Sequence, residues 1–376
     1  MRTAYPVQLS LAITTKASPN SAGPHHYQYQ YSSDFCETRC MPDKVRWAVL
    51  GAAKIGITKV IPAMQKGEWS DVVAIASRDL NKASAAASKL GIRKVYGSYA
   101  EALSDPEIEA IYNPLPNHLH VPWSLRAAEA GKHVLCEKPI ALSVAECRTL
   151  IAARDRTGVK IGEAFMVRTH PQWLRARELA QSGEIGELRS IVGAYSYFNR
   201  DPANIRNKPE LGGGGIMDIG CYPIQISRFL FGREPETAAA RIDRDPEWQT
   251  DRLSSVVLGF PTGHCDFTCS TQLVPYQKIQ ILGTKGRIEI EVPFNAPPDR
   301  KTRLFVDNGV APFGTGIRVE EFPICDQYTI QGDLFSMAVR GRGNVPTPLE
   351  DSIANMAVIE AVFESARTDR VVPVAR

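Results

Sequence analysis

Between Val45 and Ala164 the chain alternates short apolar runs with stretches whose apolar residues recur at helical spacing. Val45 to Leu50, Val72 to Ala76, Ala110 to Asn113 and Lys132 to Cys136 read as buried strands, and Val159 to Ala164 as the sixth of the series. A helical pattern follows the first strand through Met64, and a capping box of Ser98 with Glu101 opens another. Further helices cover Leu119 to Ala130 and Ser143 to Thr157. Apolar strands alternating with helices predict a doubly wound parallel sheet, whose ligand crevice lies at the carboxyl ends of the strands.

Past Ala164 the period changes to two. Leu188 to Phe198, Ser254 to Phe260, His264 to Leu273, Lys278 to Leu282 and Arg287 to Val292 alternate apolar and polar positions. They predict a large, mainly antiparallel open sheet, with Gly283-Thr284-Lys285-Gly286 turning a hairpin. One face of that sheet needs cover, so a homodimer or higher homo-oligomer through it is expected. Ile216 to Phe231 reads as an apolar helix in which Pro223 marks an irregular turn or a break after Tyr222.

Residues 1–42 have neither period. They are rich in Ser, Thr, Pro, Tyr and Gln and read as a disordered extension upstream of the true start. Val7 to Ile13 makes only a weak signal peptide. Over 376 residues, 44 Lys and Arg against 41 Asp and Glu leave a net charge of +3. With no long basic run, that balance points away from nucleic acid and from a polybasic membrane contact. No apolar stretch of about 18 residues is present to span a membrane. The eight cysteines form no paired framework, which fits a reduced, cytoplasmic setting.

Metal sites find little support. Cys265 and Cys269 lie on an expected strand, where four residues separate them by about 13 Å. His118 and His120 lack a third ligand nearby, and His25-His26, Cys36 and Cys40 fall in the tail.

The chemistry concentrates at strand ends. The first strand runs into Gly51-Ala52-Ala53-Lys54-Ile55-Gly56, where Gly51 permits a tight turn and Ala53 lets the backbone approach a pyrophosphate. The second strand ends in Ser77-Arg78-Asp79 with Lys82 close behind; a hydroxyl and a guanidinium at this tip favour NADP over NAD. A stiff Pro114-Leu115-Pro116 loop follows the strand at Asn113 and lies beneath the nicotinamide half of such a cofactor, with Asn117 as a helix cap and His120 as a cleft residue. Glu137 and Lys138 leave the strand Lys132 to Cys136, and Pro139 aims Lys138 into the crevice as the leading catalytic candidate. A solvated Glu-Lys loop is the plain alternative. Gly212 to Gly215 precede the helix bearing Asp218 and Tyr222, four residues apart on one face. Close approach of the glycine backbone to a ligand accounts for that run better than slack does; a core tyrosine and a capping aspartate remain open.

From Val45 nearly to the C-terminus the chain resembles the glucose-fructose oxidoreductase, inositol dehydrogenase and rhizopine-catabolism family. The residues that carry the resemblance are the GAAKIG turn, the SRD tip, NPLPNHLH, AGKHVLCEKP, EAFMVRTHPQW and GGGGIMDIGCYP, in order and spacing. It implies an α/β fold: a Rossmann domain over residues 43–165 and an α+β domain for substrate and dimerisation over 166–376. It also implies that Lys138 is the catalytic lysine, completed by Asp218 and Tyr222, and that Lys82 and Tyr99 lie by the adenosine phosphate. Gly51, Ala53, Lys54, Ile55, Gly56, Ser77, Arg78, Pro114, Asn117, His120, Glu137 and Lys138 are the other cofactor candidates. Tyr222 in a position where many members carry His is similar to the subgroup containing dimeric dihydrodiol dehydrogenase and NADP-dependent xylose dehydrogenase.

Oxidising a sugar hydroxyl requires removing its proton while hydride leaves the same carbon. Tyr222 is the expected acid or base, with Lys138 lowering its pKa and bonding the substrate oxygen; each group would shift the other toward neutrality from a free pKa of about 10. Arg168, Arg206, Asp218 and Tyr222 are the expected substrate contacts. The expected activity is an NADP-dependent oxidoreductase on a sugar or related polyol, best matched by an aldose 1-dehydrogenase with a D-xylose-like substrate. A trans-dihydrodiol dehydrogenase, a keto-sugar reductase of anhydrofructose type, a glycosidase recycling its nicotinamide and a non-catalytic NADP sensor are the alternatives.

Overall fold

The computed structural model describes residues 43–312 and 314–375. The expected disordered extension, the weak signal segment and the His25-His26, Cys36 and Cys40 positions lie outside the described residues.

Six parallel strands make the first sheet: β1 (Val45–Leu50), β2 (Ser70–Ala76), β3 (Lys94–Tyr96), β4 (Ala110–Asn113), β5 (His133–Glu137) and β6 (Ile161–Ala164), in the order β3-β2-β1-β4-β5-β6. The strands are apolar throughout because both faces are covered: Trp47 and Val49 of β1 join the core on one side, Ala48 and Leu50 that on the other. Winding reverses between β1 and β4, so the carboxyl ends of these two strands diverge into a crevice. The helices of this half are α1 (Ile61–Met64), α2 (Leu80–Leu90), α3 (Tyr99–Ser104), α4 (His120–Glu129) and α5 (Val144–Thr157).

Local chemistry fixes their ends. Ser98 accepts the Glu101 amide at 3.2 Å, but the Glu101 carboxylate reaches the Gly97 amide, one residue outside the usual capping box. Asn117 caps no α-helix. It opens a short 3-10 turn, Asn117–Leu119, and its side-chain amide donates to the Gly212 carbonyl at 2.8 Å.

The second sheet contains β7 (Leu188–Phe198), β8 (Thr237–Arg244), β9 (Asp251–Phe260), β10 (Gly263–Ser270), β11 (Gln272–Gly283), β12 (Arg287–Ile290), β13 (Thr302–Asp307), β14 (Ile317–Phe322) and β15 (Val372–Pro373). Their order is β14-β13-β12-β11-β7-β10-β9-β8-β15, antiparallel except for the β7 and β10 pair. The expected strand from His264 to Leu273 is two strands, because the chain leaves β10 after Ser270 and enters β11 at Gln272. β8 escaped the pattern since Ala238 to Ala240 and the charged residues beyond them give little contrast between faces. Cys265 and Cys269 are both buried on β10 with free thiols.

One face of this sheet is covered by α6 (Pro171–Gln181), α7 (Cys221–Phe231) and α9 (Leu349–Thr368), which bury Val256, Leu258, Phe267 and Ile279. On the other, Val257 and Val274 are exposed. The irregularity of the Ile216–Phe231 segment precedes Tyr222 rather than following it. A π-helical turn, Ile216–Gly220, comes first, and Pro223 follows as the third residue of α7.

The last long segment returns to the first sheet. Helix α8 (Gln327–Val339) places Phe335 with its ring 5.5 Å from that of Trp47, whose indole N–H donates to Ser336 Oγ at 3.1 Å. Asp333 accepts the amides of Glu68 and Trp69 at 2.9 and 3.0 Å. No helix among the described residues is long and apolar enough to cross a membrane.

Because Phe335 is fully buried, Phe335→Ala is expected to destabilise the protein by about 3–5 kcal/mol, read as a lower midpoint of denaturant unfolding. An unchanged midpoint would show that α8 does not hold the first sheet.

Candidate active site

A cleft of about 1180 Å³ opens at the carboxyl ends of β1, β2, β4 and β5 and continues beneath the second sheet. Its first wall is built by the turn after β1. Gly51 has φ +84 and donates its amide to the Ala76 carbonyl at 2.6 Å; a Cβ there would meet Leu115 besides forcing a left-handed backbone on a side chain. Ala52, Ala53, Lys54 and Ile55 follow on the cleft surface. Gly56 does not: it is buried behind them, against Tyr112 and Pro114.

Ser77, Arg78, Asp79 and Lys82 line the cleft at the tip of β2. The Asp79 carboxylate caps α2 by accepting the Lys82 amide at 3.1 Å, and its other oxygen lies 3.6 Å from Lys82 Nζ. Arg78 pairs with no carboxylate among the described residues, so its guanidinium is free for an anion at this tip. Tyr99, held edge-on by Trp123 at 4.8 Å, completes that end of the wall. A dinucleotide with a 2′-phosphate fits this donor set.

The other end converges on Asp218. Its Oδ2 accepts from Arg206 Nε at 2.7 Å and from the Tyr197 hydroxyl at 2.6 Å, and Oδ1 lies 3.5 Å from Lys138 Nζ. Lys138 also donates to the Asp218 main-chain carbonyl at 2.5 Å. Burial alone would raise the Asp218 pKa, but the Arg206 and Lys138 charges and these hydrogen bonds hold it well below the usual carboxylate range. Burial likewise disfavours the Lys138 ammonium, yet Asp218 overcomes it and leaves Lys138 raised above its ordinary value.

Tyr222 stands beside this pair. Its ring contacts Phe165, Tyr195 and Phe294, and its hydroxyl reaches the Met166 sulfur at 3.4 Å. Burial, with the nearby Tyr328, Tyr195, Cys221 and Glu137, pushes its phenol well above its usual pKa. The expected mutual shift toward neutrality is therefore corrected. Lys138 Nζ sits 4.8 Å from the centre of the Tyr222 ring, over its face, and Asp218 neutralises the charge that was to favour phenolate.

Two further expectations change. Arg168 is turned out of the cleft by the short turn Met166–Thr169; it bonds Asp351 at 3.2 Å and lies over Phe229. Met166, two residues earlier, takes the cleft position. His120 forms part of the wall but both of its ring nitrogens face main-chain carbonyls, Pro139 at 2.8 Å and Leu115 at 2.6 Å, so it offers no donor to a ligand. Glu137 accepts the Tyr112 hydroxyl at 2.6 Å, and burial raises its carboxyl pKa. The Lys138-Pro139 bond is cis.

The glycine run serves the protein itself more than a ligand. Gly214, at φ +114, lies so close to Asp251 that a Cβ would overlap its carboxylate, and Asp251 accepts the Ile216 amide at 2.5 Å at the head of the π-helical turn. Gly212 and Gly213 do reach the cleft wall.

Tyr195, Tyr197, Asn199, Asn295 and Tyr328 complete the substrate end, and sequence reasoning missed all five. Tyr195 and Tyr197 were within reach, since they share one face of β7. Asn295 and Tyr328 come from a loop and a helix start with no motif. Among the described residues no cluster of His, Cys, Asp and Glu is arranged to hold a metal.

Residues 45–165 match the oxidoreductase family with an NAD-binding Rossmann fold, and residues 173–289 match the GFO/IDH/MocA C-terminal domain. The uncharacterized oxidoreductase ORF334 of Rhizobium meliloti is 48% identical over 325 residues, spanning 86% of this chain and 97% of that protein. D-xylose 1-dehydrogenase (NADP(+)) 2 of Haloferax volcanii is 37% identical over 328 residues, with 86% and 97% covered. In structure, the aldose-aldose oxidoreductase of Caulobacter crescentus, complexed with glycerol, matches at a TM-score of 0.79 and 26% identity, covering 88% of this chain and 99% of that one. The first sheet, strands β7 to β11 of the second, and Lys138, Asp218 and Tyr222 thus fall within matched sequence, and the chain belongs to the glucose-fructose oxidoreductase, inositol dehydrogenase and rhizopine-catabolism family of oxidoreductases, with its NAD(P)-binding Rossmann fold in the first of its two halves.

Proposed function

We propose that the protein is an NADP-dependent dehydrogenase of neutral sugars, with an aldose of the D-xylose kind oxidised at C1. The observation that carries this reading is the convergence of Lys138, Asp218 and Tyr222 at one end of a cleft whose other end carries the unpaired Arg78. Gly51, Ala53, Lys54 and Ile55 would face the pyrophosphate, Arg78 and Lys82 the 2′-phosphate, and Pro114, Asn117 and Glu137 the nicotinamide half. The nicotinamide, when bound, accepts hydride from the carbon that bears the reacting hydroxyl.

The residues of the chain handle the proton. Lys138, kept an ammonium by Asp218, donates to the substrate oxygen and stabilises negative charge as it develops there. Tyr222 exchanges the hydroxyl proton. Asp218 holds Lys138 and Arg206 in place, a positioning role more than a substrate contact, since both its oxygens already face donors.

The substrate end supports a neutral polyol. Both cations there, Lys138 and Arg206, are engaged by Asp218, and the remaining polar groups are the hydroxyls and amides of Tyr195, Asn199, Asn295 and Tyr328. These match sugar hydroxyls, and two cations against one carboxylate leave a single positive charge to meet the oxygen of the reacting hydroxyl. The relative from Haloferax volcanii, named for D-xylose and NADP, supports the same choice.

A second reading has its own support. A phenol held well above its usual pKa is ready to donate, which suits reduction of a keto-sugar by the same residues in reverse. We further infer that the exposed face around Val257 and Val274 closes a homodimer or higher homo-oligomer, and that the free thiols belong in a reducing, cytoplasmic compartment.

The deciding experiment offers the protein NADP or NAD with aldoses, inositols and dihydrodiols, and NADPH with keto-sugars, while reduced nicotinamide is followed by absorbance. Production of NADPH from an aldose supports the main reading; consumption of NADPH with keto-sugars alone transfers the assignment to the reductase. Lys138→Ala is expected to lower turnover roughly 100-fold or more with NADP binding within a few-fold of wild type. Equal losses in both would remove Lys138 from the chemistry.

Arg78→Ala is expected to weaken NADP by about 1.5–3 kcal/mol, the value of a charged hydrogen bond, with NAD little changed. An unaltered preference would refute the 2′-phosphate contact. Because Tyr222 is raised, alcohol oxidation is expected to speed up as pH climbs above neutrality and the phenol ionises more readily, whereas carbonyl reduction stays level there. Oxidation that is fastest at acid pH would exclude Tyr222 as the base.

A further inference from the structure

Lys138 is held at its tip by Asp218, but its backbone needs an anchor as well. The next peptide unit, between Pro139 and Ile140, is buried, and each of its polar groups faces a polar side-chain atom. The Ile140 amide donates to Glu163 Oε1 at 2.9 Å. The Pro139 carbonyl faces His120 Nδ1 at 2.8 Å. His120 Nε2 faces the Leu115 carbonyl at 2.6 Å; burial lowers the His120 pKa to about 4, so the neutral ring carries one N–H and donates to one of these two carbonyls. A carbonyl can only accept, so each contact that holds requires a proton on the ring nitrogen.

We propose that Glu163 is a positioning residue for Lys138, acting through the Pro139-Ile140 peptide and touching neither substrate nor cofactor. Glu163 is 4% exposed, and its second oxygen is buried with no hydrogen-bond partner. That is an expensive arrangement for a side chain whose only service is to fill space. Its one well-formed hydrogen bond is to the Ile140 amide, which fixes the segment carrying Lys138, while the Ser352 hydroxyl of α9 lies nearby and counters the effect of burial.

The surroundings make this contact sensitive to pH. Buried thiols face Glu163 from three elements: Cys136 of β5, Cys147 of α5 and Cys221 of α7, all pushed up by burial and so uncharged. Arg228 of α7 and Asp351 of α9 act on it with opposite signs and bond each other at 3.2 Å. From α8 and the loop after it come the uncharged Gln331, Phe335, Val345 and Thr347. Burial dominates, with no full counter-charge at hand, and the Glu163 carboxyl is pushed up to about 7. The carboxylate is the stronger acceptor for the Ile140 amide, so Lys138 is held most firmly above that pH.

The sign for stability is the reverse. A carboxyl whose folded pKa exceeds its unfolded value near 4.3 stabilises the fold below that lower value, and the contribution is lost as pH rises through about 7.

The test compares Glu163→Gln, which keeps an acceptor oxygen and cannot ionise, with Glu163→Leu, which removes the acceptor. In Glu163→Leu, kcat is expected to fall roughly 10- to 100-fold with NADP binding unchanged, the loss typical of a misplaced catalytic group. In Glu163→Gln, kcat stays within a few-fold of wild type and loses the wild-type decline as pH drops through about 7. These arms rest on the proposed role of Lys138 in hydride transfer. A third does not: the Tm of Glu163→Gln relative to wild type should rise between about pH 5 and 8, as the wild type alone bears a buried carboxylate. Wild-type turnover in Glu163→Leu, an undiminished pH step in Glu163→Gln, or a Tm difference independent of pH would each overturn the proposal.

Discussion

A buried carboxylate with three cationic or hydroxylic donors is the constraint on which the rest of this molecule depends. Asp218 is enclosed, and its charge is tolerable only because Arg206, Tyr197 and Lys138 surround it. Those donors come from distant parts of the chain: the residue just past β5 in the first sheet, β7 in the second, and the short turn Ile205–Asn207. The carboxylate therefore does two things at once. It joins the two halves across the cleft, and it determines that the lysine is a cation rather than a neutral amine.

The backbone around Asp218 follows from the same requirement. A π-helical turn brings Asp218 to the cleft, and that turn needs its free amides satisfied, which Asp251 does at Ile216. Asp251 approaches so closely that only glycine fits at Gly214. The glycine run, the buried Asp251 and the π-helical turn are then parts of one device. Helix α8 plays the matching role from the far side, where Phe335 and Asp333 hold it to Trp47 and to the start of β2 in the first sheet.

Much of this was legible in the residues. Strands buried on both faces declare themselves as unbroken apolar runs, which is why β1 and β4 were located to the residue and the parallel sheet followed. Lys138, Asp218 and Tyr222 stood out because unusual local chemistry surrounds each: a proline, a glycine run, a shared helix face. Strands at or beside the ends of the second sheet, such as β14 and β8, carried too little contrast to be seen. Tertiary contacts escaped for a different reason. Nothing near Arg168 in sequence says that Asp351 waits for it, and nothing near Tyr222 says that Asp218 will absorb the charge of Lys138. Sequence singles out candidate groups for the chemistry; only the fold decides which of them neutralise one another.

The proposed activity requires that hydride pass directly between a sugar carbon and nicotinamide in this cleft. The most direct measurement supplies NADP with D-xylose deuterated at C1 and examines the nicotinamide product by mass spectrometry. Direct transfer yields NADPH carrying one deuterium, formed more slowly than from the unlabelled sugar. NADPH without deuterium, or no NADPH from any neutral aldose despite demonstrated NADP binding, would contradict it.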